Sequence, residues 1–93
     1  MARYRIKALP AAIDDIASLS EPARSRITDA IDMLADNPRP SGSRKMEGYK
    51  KLYRIRVGQY RVAYEIDDAV LFILVAAAGN RDRIYKLLKR RSV

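Results

Sequence analysis

Polar and apolar residues alternate from Arg3 to Leu9, with Tyr4 and Ile6 on one side and Arg3, Arg5 and Lys7 on the other. That period predicts a short half-buried strand. Pro10 closes it and suits the first turn of a helix, where its missing N–H leaves no bond unmade. The period then lengthens: Leu9, Ile13, Ile16 and Ala17 recur at helical spacing, to about Leu19. Ser20 is placed to cap a second helix, with Glu21 favourable at its positive end. Ala23, Ile27, Ala30, Ile31 and Leu34 form that helix's apolar stripe, and Asn37-Pro38-Arg39-Pro40 ends it. Two helices joined by about two residues make an antiparallel hairpin.

Ser41 to Tyr49 reads as a polar loop. Leu52 to Val57 and Tyr60 to Ile66 then read as strands separated only by Gly58-Gln59, a pair suited to a type II′ turn. Asp67-Asp68 makes the next turn. Ala69 to Ala77 is an apolar third strand, central and buried on both faces, which Gly79-Asn80 breaks. Ile84, Leu87 and Leu88 mark one face of a closing helix, with Asn80 as its cap. No repeat or linker interrupts residues 1–93, so one domain is expected. Its predicted order is β-α-α-β-β-β-α: an α+β fold in which an N-terminal strand and a helical hairpin pack on a small antiparallel sheet.

Strand alternation also sorts the charges. With Gly58-Gln59 as the loop, Val57 faces Tyr60, Arg56 faces Arg61 and Arg54 faces Ala63. Tyr53, Ile55, Val57, Tyr60, Val62 and Tyr64 then share a core face, and Arg54, Arg56 and Arg61 share the other. Like charges directly opposite destabilise a sheet, so the pattern suggests an anionic ligand. Arg81 and Tyr85 are one helical turn apart, where an Arg can grip a phosphate and a ring can stack on a base. Taken alone, Tyr85 reads more readily as a packing residue than as a stacking platform. Lys86, Lys89, Arg90 and Arg91 form a basic run suited to backbone attraction, or simply to the negative pole of a helix dipole. Asp14-Asp15 falls on the exposed side of a helix and Asp67-Asp68 is explained by its turn, so neither is read as a metal site.

Composition supports the same direction. Nineteen Lys and Arg oppose eleven Asp and Glu, a formal net charge of +8. Residues 1–50 hold nine basic and seven acidic groups, residues 51–93 ten and four, so a polyanionic partner should meet mainly the second half. No Cys and no His is present, which removes disulfides, thiolate and imidazole metal sites, and imidazole acid–base catalysis. The amino terminus lacks the apolar run of a signal peptide. The longest apolar stretch, Ala69 to Ala78, is about half of the ~20 residues a spanning helix needs. A soluble protein of a reducing cytoplasm is expected, without membrane contact.

Three segments together resemble the RelE/ParE superfamily of toxins of toxin–antitoxin systems. They are the helical hairpin with Leu19-Ser20-Glu21-Pro22 and Asn37-Pro38-Arg39-Pro40, the block from Leu52 to Ile66, and Gly79-Asn80-Arg81-Asp82-Arg83-Ile84-Tyr85. For the RelE-type branch the resemblance implies a ribosome-dependent endoribonuclease that cuts mRNA in the A site without metal or cofactor, inhibits translation, and is blocked by a cognate antitoxin. It matches Arg54, Arg56, Arg61, Arg81 and Tyr85 to catalytic positions. Lys50, Lys51, Lys86, Lys89 and Arg90 are the expected accessory RNA contacts. Where the RelE pattern has lysines this chain has Arg54 and Arg56, and a guanidinium is a poor general base. Lys50, Lys51 and Glu65 are the candidates for that role. Two other readings stay open: a ParE-like inhibitor of DNA gyrase that cleaves nothing, and a non-catalytic RNA-binding module.

Overall fold

The computed structural model describes residues 3–91. Its elements are β1 (Arg5–Ala8), α1 (Pro10–Ala17), α2 (Glu21–Met33), β2 (Arg44–Lys45), β3 (Leu52–Val57), β4 (Tyr60–Asp67), β5 (Phe72–Asn80) and α3 (Arg81–Arg90). The five strands form one sheet in the order β1-β5-β4-β3-β2. The expected α+β architecture stands, with two changes. β1 pairs parallel to β5, so the sheet is mixed rather than wholly antiparallel. The segment expected to be only a loop contributes β2, a two-residue strand on the outer edge of β3.

Each face of the sheet has its own core. On one side, α1 and α2 set Ala12, Ile27 and Leu34 against Ile55, Val62, Tyr64, Ile66, Ile73 and Val75. Tyr53, Val57 and Tyr60 pack at its margin, so all six residues assigned to the core face by alternation lie there. On the other side α3 lays Ile84, Leu87 and Leu88 over Leu52, Ala63, Ala76 and Ala77. A bulge explains how two consecutive alanines reach the same face. Ala63 pairs with Ala77 and Tyr64 with Val75, which leaves Ala76 as the extra residue. The small side chains let the helix sit close to the strands.

β5 starts later and ends later than its hydrophobicity suggests. Residues 68–71 form the turn after β4, with Leu71 in the left-handed region at φ +52°. Val70 is more than half exposed there, so the apolar run from Ala69 overstates the strand. At the far end the strand continues through Gly79 and Asn80, which pair with Arg61 and Tyr60. Ser20 occupies the cap position of α2 without a side-chain cap bond, whereas Asn80 caps α3 through a 2.9 Å bond from the Arg83 N–H. No described helix is long and apolar enough to cross a membrane.

Asp15 corrects a further expectation. Its side chain is 8% exposed rather than on an open helix face. It accepts two bonds from Arg91 at 2.6 and 2.9 Å and one from the Ala78 N–H at 3.0 Å. Arg91 also donates to the Ala76 carbonyl at 2.9 Å. β1 pairs with β5 only as far as Val75, so the Asp15–Arg91 pair satisfies ladder groups that β1 does not reach. Arg91 is therefore a structural residue and not part of a free basic tail.

Candidate functional site

The β3–β4 hairpin sets the site. Gly58 takes φ +62° while Gln59 stays out of the left-handed region, the type II′ pattern whose twist matches the strands. This turn fixes the register Val57↔Tyr60, Arg56↔Arg61 and Arg54↔Ala63. Ala63 is buried under α3, so Arg54, Arg56 and Arg61 project from the α3 face, beyond the helix. Arg56 Nε donates to the Gly58 carbonyl at 3.1 Å, which ties one guanidinium to the turn.

The fourth arginine arrives by a different route. Because Gly79 pairs with Arg61 and Asn80 with Tyr60, β5 hands the chain to α3 at the turn end of the hairpin. Arg81 is the first residue of α3, and Tyr85, 49% exposed, follows one turn later. The Arg61 guanidinium has its pKa lowered, first by desolvation and then by the charges of Arg54, Arg56 and Arg81, with Tyr85 opposing. All five residues matched to catalytic positions thus converge on one face. Among the described residues, the ion pairs link Arg3 to Asp36, Arg24 to Glu21, Arg39 to Asp68, Lys51 to Asp67 and Arg91 to Asp15. None of these carboxylates serves Arg54, Arg56, Arg61 or Arg81.

The accessory residues divide. Lys89 follows Arg81 and Tyr85 at four-residue intervals and lies along the same flank of α3, while Lys86 and Arg90 point away from the buried stripe. Lys50 and Lys51 lie at the other end of β3, lining a cleft of about 410 Å³ with Tyr49, Leu52 and Glu65. Lys51 is paired there with Asp67 at 3.7 Å. Glu65 does share the Arg61 face, but four residues along a strand is about 13 Å. None of the three candidates for general base therefore stands beside Arg61. One residue escaped the sequence reading altogether. Arg44, on β2, pairs with Arg54 and projects from the same face.

A second cluster, on the opposite side of the sheet, holds the loop before β2. Arg39 donates to both oxygens of Asp68 at 3.2 and 2.8 Å and covers the Tyr53 ring at 4.9 Å. Tyr4 also donates to Asp68, and the Tyr64 hydroxyl donates to the Pro38 carbonyl at 2.8 Å. Burial pushes the Tyr64 hydroxyl up to about 12. These contacts anchor Asn37-Pro38-Arg39-Pro40 and so help place β2.

A basic face thus lies at the turn end of an antiparallel hairpin, overlooked by a helix that begins where the last strand ends. Residues 6–85 match the family model described as ParE toxin of the type II toxin–antitoxin system parDE. A RelE-like toxin protein of Escherichia coli is 31% identical over 94 residues, covering 96% of this chain and 97% of that one. RelE in the RelE–RelB complex of Pyrococcus horikoshii superimposes with a TM-score of 0.77 at 29% identity, over 87% of this chain and 98% of that one. Free E. coli RelE, as a double arginine mutant, gives a TM-score of 0.79 at 20% identity with complete coverage of both chains, a likeness of fold. The chain belongs to the RelE/ParE superfamily and is a toxin of a type II toxin–antitoxin system.

Proposed function

We propose that this toxin is a ribosome-dependent, metal-independent mRNA endoribonuclease of the RelE type, held inactive by a cognate antitoxin. The observation that carries the reading is the convergence of Arg54, Arg56, Arg61 and Arg81, without a carboxylate partner among the described residues, beside an exposed Tyr85. In the reaction the 2′-oxygen attacks the adjacent phosphorus and the P–O5′ bond breaks. The products are a 2′,3′-cyclic phosphate and a 5′-hydroxyl. Arg56 and Arg61 neutralise the phosphorane oxygens, where fixed cations act most strongly on developing charge. Arg81 stabilises the departing 5′-oxygen until it takes a proton. Tyr85 stacks on a base and holds the attacking oxygen in line. The described residues offer no general base beside Arg61, so water accepts the 2′-hydroxyl proton, whose loss the surrounding cations favour.

The RelE of P. horikoshii is complexed with RelB, which supports an antitoxin as the physiological partner here. Charge complementarity favours an acidic segment of that antitoxin over the arginine face. The ParE description of the matching family model favours a second reading, inhibition of DNA gyrase without cleavage. A purified translation system with one defined message separates the two. Ribosome-dependent breaks ending in 2′,3′-cyclic phosphate, absent with Arg61→Ala, support the nuclease. An intact message together with loss of gyrase supercoiling supports the gyrase reading.

A further inference from the structure

The register of β2 adds a feature that the hairpin alone does not contain. Arg44 stands directly opposite Arg54, as Arg56 stands opposite Arg61, so two like-charged cross-strand pairs occupy one face. Neighbours paired this way have Cβ atoms about 5 Å apart and repel each other. The two pairs are offset by two residues along β3 and by one strand spacing across it, about 8 Å at the backbone, a gap that long arginine side chains can narrow to the step between adjacent phosphates. Arg44 is exposed and has no carboxylate partner among the described residues. Lys45, the other residue of β2, pairs with Tyr53 and therefore projects from the opposite face.

We infer that Arg44 and Arg54 form a second phosphate-binding position, which holds the phosphodiester next to the scissile one along the RNA strand. This rests on the proposed nuclease reading and adds to it a register for the substrate: one phosphate between Arg56 and Arg61, its neighbour between Arg44 and Arg54. A fork of two guanidinium groups suits a phosphate, and a bound phosphate removes the repulsion that the empty pair carries. Arg44 lies on the outermost strand and is a positioning residue that acts on substrate binding, not on bond breaking.

The test compares Arg44→Ala with Lys45→Ala, which remove the same charge from opposite faces of the same two-residue strand. On ribosomes programmed with a cleavable A-site codon, Arg44→Ala should raise the half-saturating toxin concentration about tenfold, the scale of a charge-assisted bond, with the plateau rate unchanged. Lys45→Ala should change neither, and Arg44→Lys should recover part of the loss. In parallel, binding of a short 2′-O-methyl oligoribonucleotide is followed against salt. Each phosphate contact on a single strand contributes about 0.7 to the slope of log K on log salt, so Arg44→Ala should lower the slope by about that amount and Lys45→Ala should not. If the wild type binds the oligonucleotide with this difference between variants but does not cleave, the nuclease reading fails and the second phosphate position stands. If the wild type cleaves while the two alanine variants behave alike, the second position fails and the nuclease reading stands. A wild type that neither cleaves nor binds overturns both.

Discussion

Arg91 and Arg61 are both half-buried arginines, and the fold treats them in opposite ways. Arg91 meets a carboxylate and a carbonyl, and its pKa is raised, chiefly by the hydrogen bond to Asp15. Arg61 meets three further guanidinium groups, and its pKa is lowered by burial and by their charges. The chain has eleven carboxylates and places one beside Arg91, so the bare face around Arg61 is not a shortage of anions. Where a charge serves the architecture it is neutralised from within. Where it is left open, the natural complement is a ligand that carries the negative charge, and a polyanion provides it.

That contrast can be broken at either end. The largest effect is expected from Arg61→Ala: cleavage should fall by about 10²–10³-fold, as when a group that stabilises transition-state charge is removed. Its thermal midpoint should stay level or rise, because the variant relieves repulsion. A midpoint well below wild type would place Arg61 with Arg91 as a structural residue. Asp15→Ala should show the reverse. It leaves a poorly solvated guanidinium and the Ala78 N–H unpaired, which costs about 3–5 kcal/mol in urea unfolding, while cleavage per folded molecule persists. An Asp15→Ala variant that unfolds like wild type would contradict a structural role for the Asp15–Arg91 pair.

Smaller effects sharpen the same comparison. Arg56→Gln should stabilise the protein by about 0.2–1 kcal/mol through relief of the cross-strand pair, and should lower cleavage. The Arg39–Asp68 pair offers a pH test. Its hydrogen bond to Arg39, followed by that from Tyr4, holds the Asp68 carboxyl below its ordinary value of 3.8. The stability this contributes is complete above that value and is lost as pH falls through the lower, folded-state value. Asp68→Asn should therefore flatten the acid limb of the stability curve measured by denaturant titration. An unchanged acid limb would assign it to other carboxylates.

Much of this was legible in the chain because it is local. The hairpin announces itself through two period-two runs and Gly58, and with its turn goes the sidedness of Arg54, Arg56 and Arg61. The apolar face of α3 and its Asn80 cap are equally short-range. What stayed hidden depends on distant pairing. Asp15 is buried by Arg91, 76 positions away, so nothing near it in sequence marks it. β1 finds β5 in parallel only once the intervening helices have folded back. Arg44 sits in a strand of two residues, too short to carry a period, and acquires its meaning only from Arg54 across the edge. Lys50, Lys51 and Glu65 mislead for a related reason. Nearness in sequence or a shared strand face says nothing of the distance along a strand, and they collect in a separate cleft.

Primer extension on host transcripts, during expression of the wild type and of Arg61→Ala, tests the open arginine face most directly. The account predicts breaks within the codons of translated messages, confined to wild-type expression, while Arg61→Ala accumulates as a folded protein with its transcripts whole. Intact transcripts under wild-type expression that still arrests growth would contradict it.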